Sequence, residues 1–138
     1  MFRYTEIEHT ADAGFIVESD SCEDLFLGAA TALFSLVADV DEVGDEIHRE
    51  IEITGETISE LMFDFLREFV FLLSTEGLIF KRFRVLSLDP DSVRMSCRGG
   101  RVGNTAPWPE LEIKAVTYHD FSVEEHDGRW QARFIVDV

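Results

Sequence analysis

The stretch from Thr57 to Leu73 restricts the possible folds more than any other part of this sequence. Ile58, Leu61, Met62, Phe65, Leu66, Phe69, Leu72 and Leu73 recur at intervals of three and four, the period of an α-helix, and Phe63, Val70 and Phe71 are apolar as well. Only Glu60, Asp64, Arg67 and Glu68 leave a narrow polar stripe, so the helix must be covered nearly all round. Thr57 with Glu60 opens it in a capping-box pattern, and Gly77 is a natural C-terminal residue. A second helix follows Ser21 and Asp24, where Cys22, Leu25, Phe26, Ala29, Ala30, Leu33, Leu36 and Val37 repeat with the same period. Its apolar face is suited to lying on a sheet.

The other apolar segments read as strands: Phe2 to Glu8, Phe15 to Val17, Ile51 to Thr54, and Phe80 to Leu88 joined to Val93 to Cys97 across an Asp89-Pro90-Asp91 turn. Phe121 to Glu125 and Trp130 to Val136 form a further hairpin, with Asp127-Gly128 as its turn signal. Ile113, Ala115 and Thr117 alternate with Lys114, Val116 and Tyr118, which predicts a strand ending in Tyr118, His119 and Asp120 at a sheet edge. Gly14 is expected to ease a bend. The fold class is α+β: a single domain over residues 1–138, with two long helices packed on a mainly antiparallel sheet of seven or more strands. Asp39, Asp41, Gly44 and Glu50 match part of a calcium-binding EF-hand loop, but Val43 occupies a ligand position and Ile51-Glu52-Ile53 reads as a strand where an exiting helix is required. A solvated acidic connection fits better.

Composition matters because of the charge. A net charge of -16 would suggest disorder, but 46% hydrophobic residues are enough for a packed core. No apolar run approaches the length of a membrane span, and the opening Met-Phe-Arg-Tyr-Thr-Glu is not a signal peptide, so a cytoplasmic protein without membrane contact is expected. Cys22 and Cys97 lack metal or redox spacing and read as small buried apolar residues. Residues 1–60 hold sixteen acids against Arg3 and Arg49, a balance of -14. Residues 81–101 hold six Lys and Arg against Asp89 and Asp91, a balance of +4. RNA should be repelled by such a chain unless the basic segment forms a compact patch; a basic protein partner fits the acidic part better. One copy of Arg98-Gly99-Gly100-Arg101 without aromatic neighbours reads as a loop, so direct nucleic-acid binding is expected to be absent or weak. The acids at Glu60, Asp64 and Glu68 read as a solvated face, with a docking face for a basic partner as the alternative.

Candidate chemistry is sparse. No Gly-rich phosphate loop, nucleophile elbow, paired-His metal motif or cysteine beside a base is present. On residue type alone, Tyr118, His119 and Asp120 are either a capped strand end or a site, and His9 and Asp12 are a weak pair in an expected loop. His48 and His126 sit in polar company and read as surface residues.

Four segments carry a resemblance. His9-Thr10-Ala11-Asp12-Ala13-Gly14 resembles the signature His-Thr-Ala-Asp-Ile-Gly of the archease family, with Ala13 in place of a larger aliphatic residue. Thr75-Glu76-Gly77-Leu78 resembles that family's Asp-Thr-Glu-Gly-Leu, with Ser74 at the Asp position. Ile-Lys-Ala-Val-Thr-Tyr-His at 113–119 resembles its most distinctive stretch, and Asp137-Val138 its ending in Asp and an aliphatic residue. The resemblance implies a non-enzymatic cofactor protein that promotes guanylylation of an RtcB-type tRNA-splicing ligase. It also implies a divalent metal held by Asp12, Asp137 and a backbone or terminal carboxylate oxygen of Val138, with His9, Tyr118 and His119 in supporting positions. Oxygen-only ligation suits calcium, with magnesium and manganese as alternatives, and does not suit zinc. Two other functions are weighed against this: a metal-dependent phosphohydrolase using Asp12, Asp137 and His119, and a chaperone-like modulator of a tRNA-modifying methyltransferase.

Overall fold

The computed structural model describes residues 1–9 and 12–138. The strands are β1 (Phe2–His9), β2 (Asp12–Ser19), β3 (Ile47–Thr54), β4 (Leu78–Asp89), β5 (Ser92–Arg101), β6 (Ala115–His126) and β7 (Arg129–Asp137). Helix α1 (Cys22–Ser35) follows β2, and α2 (Ile58–Glu76) follows β3. The strands form a four-stranded sheet in the order β1-β2-β7-β6 and a three-stranded sheet in the order β3-β5-β4, with every strand pairing antiparallel. This is the α+β architecture expected, with the strands divided between two sheets.

The helix ends follow the capping chemistry. Ser21 accepts a hydrogen bond from the Asp24 N–H and Thr57 from the Glu60 N–H, each at 3.1 Å. Gly77 closes α2 with φ 67°, in the left-handed region where a Cβ would be strained. Helix α1 packs on β1, β2, β4 and β7, and α2 on β3, β4, β5 and β6, so both helices join the two sheets. Their shared core is aromatic. Phe65 lies edge-on to Phe26 at 5.1 Å and to Phe69 at 4.8 Å, and Phe34 meets Phe69 at 5.2 Å. Such pairs add about 0.5–1.5 kcal/mol each beyond the area they bury.

Several sequence expectations change. His9 and Asp12 are not loop residues: they are register partners at the end of the β1–β2 hairpin, while Thr10 and Ala11, which complete the expected loop, lie outside the described residues. Gly14 is inside β2, where a Cβ would come to 3.0 Å from both Ile135 Cγ1 and the Phe134 carbonyl. Strand β3 begins at Ile47, four residues before the expected start. The acidic connection before it is a short 3₁₀ turn capped by Asp39, and Asp45 faces Lys81 at 3.7 Å and Arg82 at 3.2 Å, so ion pairing replaces the calcium-loop pattern. Arg98 to Arg101 is strand, not loop. A Cβ at Gly99 would lie 1.9 Å from the Ile79 carbonyl, and one at Gly100 2.2 Å from that of Thr105; these glycines allow close backbone approach. Phe71 is 56% exposed because it continues the polar stripe of α2. Cys97 is buried but Cys22 only half so; burial pushes their thiols up to about 12 and about 11, which keeps both protonated at neutral pH.

Candidate metal centre

The strand register brings the two outlying aspartates together. Asp12 opens β2, Asp137 closes β7, and they are direct partners in the antiparallel ladder. Ala13, Phe15 and Val17 on β2 and Ala132, Phe134 and Val136 on β7 are buried in the core, so the alternation puts Asp12 and Asp137 on the opposite face of the sheet. The row extends on either side to His9 of β1 and Ala115 of β6. The side chain of His9 lies outside the described residues.

Directly opposed side chains have Cβ atoms about 4.5–5.5 Å apart, and like charges in that relation destabilise the sheet. Among the described residues no cation lies within ion-pairing distance of either carboxylate. Lys114, close by in the chain, donates its backbone N–H to the Asp137 carbonyl at 2.7 Å and its ammonium to neither acid. Val138 packs its side chain partly into the core, which fixes the main chain beside Asp137.

The pair fits a hard divalent cation: its side-chain donors are carboxylate oxygens, and among the described residues it has no protein counter-charge. It does not by itself fill a coordination shell. Among the described residues no three His, Cys, Asp or Glu side chains come together to hold a metal. Calcium takes about six to eight oxygens, so most positions would fall to main-chain oxygen, water or a partner.

Tyr118, His119 and Asp120 are placed differently from the sequence expectation. Strand β6 does not end there but continues to His126, and the three lie in a bulge where four residues, 118–121, face one residue of β7 between the pairs Thr117–Ile135 and Ser122–Arg133. Asp120 takes a left-handed φ of 53° to allow it. The bulge turns Tyr118 onto α2, where its ring stacks on Phe63 at 3.9 Å and 6°, with Phe121 edge-on to the same ring. The ring is still 74% exposed. His119 Nε2 lies 3.4 Å from Asp120 Oδ2, and Arg133 reaches that oxygen at 3.8 Å. His119 is four residues from Ala115 along β6 and does not join Asp12 and Asp137 in a ligand group. The sheet-edge position was expected and is found, since β6 is an edge strand.

Sequence reasoning missed Arg133, whose Nε is buried with no hydrogen-bond partner among the described residues. The available signal was one cation in the otherwise apolar run Ala132 to Val136. It also missed the task of Glu76, whose carboxylate takes a two-point hydrogen bond from Arg49 of β3 at 2.7 and 3.1 Å. That bond holds the Glu76 carboxyl below its usual range.

Comparison with known proteins agrees with this architecture. The model of the Archease protein family (MTH1598/TM1083) matches residues 4–138. A Methanopyrus kandleri protein archease is 43% identical over 98% of this chain and 99% of its own length, and a Pyrococcus abyssi protein archease 34% identical over all of both. The solution structure of Methanobacterium thermoautotrophicum protein 1598 superimposes with a TM-score of 0.78 at 30% identity, covering 99% of this chain and 98% of that one. The crystal structure of a Thermotoga maritima archease, described as a possible chaperone, shares the fold with a TM-score of 0.68 at 22% identity over 96% of this chain and 94% of that one. With the family model covering nearly every residue and full-length relatives above 30% identity, this chain belongs to the archease family.

Proposed function

We propose that this protein activates an RtcB-type tRNA-splicing RNA ligase by contact, promoting its guanylylation and turnover in tRNA splicing or RNA repair in the cytoplasm, and performs no chemistry of its own. The observation that carries the reading is the cross-strand pair Asp12–Asp137, two carboxylates held opposite each other without a cation among the described residues. Family membership supports it, because the pair falls on two of the segments that resemble the archease signature.

Asp12, Asp137 and a main-chain or terminal oxygen of Val138 would hold the divalent ion, calcium before magnesium or manganese. When bound, such an ion supplies charge neutralisation and open coordination positions. The chain's own part is to pre-position the oxygens: β2 and β7 fix the carboxylates through the ladder, and the Lys114 N–H fixes the Asp137 main chain. Of the residues expected in supporting positions, His9 is the register partner of Asp12, while Tyr118 and His119 lie in the β6 bulge and would act on the surface around the site and not on the ion. The acidic balance of residues 1–60 would steer a basic ligase surface, an effect that salt weakens.

The test is formation of the ligase–guanylate adduct from radiolabelled GTP with the RtcB-type ligase of the same organism. Substoichiometric amounts of this protein should accelerate it, high salt should reduce the gain, and Asp12→Ala or Asp137→Ala should remove it with the circular dichroism spectrum unchanged. Equal adduct rates with and without the protein at limiting GTP would end this reading. A second reading, a chaperone-like modulator of a tRNA-modifying methyltransferase, draws on exposed aromatic surface: Trp108 at 76%, Tyr118 at 74% and Phe71 at 56%. It predicts an effect on the partner's solubility in place of the adduct rate. The phosphohydrolase alternative lacks such support, because His119 stands apart from the acid pair.

A further inference from the structure

The basic segment 81–101 meets the condition that the sequence sets for RNA contact, a compact patch. It folds into the β4–β5 hairpin, and strand alternation puts Arg82 and Arg84 of β4 with Ser96 and Arg98 of β5 on the sheet face turned away from the core, beside His48 and Glu50 of β3. The register aligns two rows, His48–Arg98–Arg82 and Glu50–Ser96–Arg84. Strands are about 4.8 Å apart and alternate residues about 6.8 Å apart along a strand, so the arginines share an area on the order of 10 Å across.

Nearby carboxylates occupy only part of this charge. Arg94 is occupied by Glu50 at 2.6 Å and Glu52 at 3.5 Å, and Arg82 presents its Nε to Asp45 at 3.2 Å. Arg84 and Arg98 have no ion-pair partner among the described residues. Arg82 and Arg98 are direct cross-strand partners, a like-charge pair that costs the sheet stability. His48 Nε2 and Ser96 Oγ, 2.9 Å apart, add polar groups to a shallow depression of about 360 Å³ between these side chains.

We propose that this face binds backbone phosphates of RNA. Guanidinium forks match phosphate oxygens, and a hydroxyl is a common phosphate donor. Among the described residues no fully exposed Phe, Tyr or Trp lies on this face: Phe83, which lines the depression, is half-buried, and the His48 ring is engaged with Ser96, so the contact reads backbone and not sequence. The rest of the chain is acidic and repels RNA, which confines it to this one surface. The choice of RNA over another phosphate ligand rests on the ligase reading above; the phosphate chemistry of the face does not. Affinity should be weak, in the nonspecific range of about 10⁻⁴ to 10⁻⁶ M.

Fluorescence anisotropy with a labelled single-stranded RNA tests this. Neutralising about three phosphates predicts a loss of roughly 20-fold in affinity between about 50 and 200 mM salt. Arg84→Glu with Arg98→Glu should abolish binding without lowering the melting temperature, since it relieves the Arg82–Arg98 repulsion, while Arg84→Lys with Arg98→Lys should retain part of the binding. GTP should compete weakly and polyglutamate not at all. Absent binding at low salt, or full binding by the charge-reversed variant, would overturn the proposal. Displacement of RNA by polyglutamate at equal charge would also overturn it, and would assign the face to an acidic protein. Ligase guanylylation measured without RNA is the separate arm: the charge-reversed variant should stimulate it as the unmodified protein does. A variant that fails where the unmodified protein succeeds would assign the face to the ligase and overturn the proposal, and failure of the unmodified protein to stimulate, with its RNA binding intact, would count against the ligase reading alone.

Discussion

The end of α2 and the paired ends of β2 and β7 both lie on segments that resemble the archease signature, yet their polar groups are handled in opposite ways. At the end of α2, Thr75 donates its hydroxyl to the Phe71 carbonyl at 2.7 Å, and Arg49 binds the Glu76 carboxylate. Arg101 donates to the Glu76 carbonyl at 2.7 Å, and the Val102 N–H to that of Gly77 at 2.8 Å. Leu78 is fully buried. At Asp12 and Asp137 the backbone is paired, but the two carboxylates face each other with no cation among the described residues. Matched polar groups clamp a helix to a sheet; opposed groups of the same charge give up stability, and under the proposed function they do so for a ligand. Likeness in sequence does not separate the two cases, whereas the hydrogen-bond inventory does.

If this distinction is right, substitutions at the clamp remove stability, and function falls with it. The largest effect is expected at Gly99, which pairs with Phe80 just beyond the clamp: Gly99→Ala would force a backbone shift away from the Ile79 carbonyl and cost about 3 kcal/mol by denaturant unfolding. A loss within about 0.5 kcal/mol, the ordinary surface range, would break the comparison. Gly77→Ala should cost about 1–2 kcal/mol, since its φ of 67° burdens a Cβ.

At the acid pair the sign reverses. In chelator, Asp137→Asn should raise stability by up to about 1 kcal/mol through relief of repulsion, while ligase stimulation disappears. A variant that loses stability in chelator would place this pair with the clamp. The smallest effect concerns pH. Arg49 lowers the Glu76 pKa, so the stabilisation from this carboxylate is complete above its unfolded value of about 4.5 and is lost as pH falls through the lower folded value. Glu76→Gln should therefore flatten the acid limb of a melting-temperature profile between about pH 5 and pH 3 and leave neutral pH behaviour nearly unchanged. An unaltered acid limb would show that the Arg49 contact carries no pH-dependent stability.

Much of the fold was legible because local rules and tertiary packing agree. The caps at Ser21, Thr57 and Gly77 and the turn at Asp127-Gly128 stand where residue chemistry places them. The failures occur where tertiary contacts override local preference. Gly99 and Gly100 look like loop residues but serve close strand approach, and Tyr118 to Asp120 look like a strand end because a bulge has no sequence period. Asp12 and Asp137 were legible as candidates only through resemblance, because their proximity depends on a strand pairing 125 positions apart in the chain, 137 less 12. The Arg82–Arg98 pair has the same origin: composition shows a basic segment, and only the register shows its charges opposed.

The most direct measurement is thermal unfolding in calcium or manganese against chelator, for the unmodified protein and the double variant Asp12→Asn with Asp137→Asn. A metal held at one hundred times its dissociation constant should stabilise the unmodified protein by about 2.7 kcal/mol and the double variant not at all. No shift with either ion, or an equal shift in the double variant, would contradict the assignment of this acid pair as the metal centre.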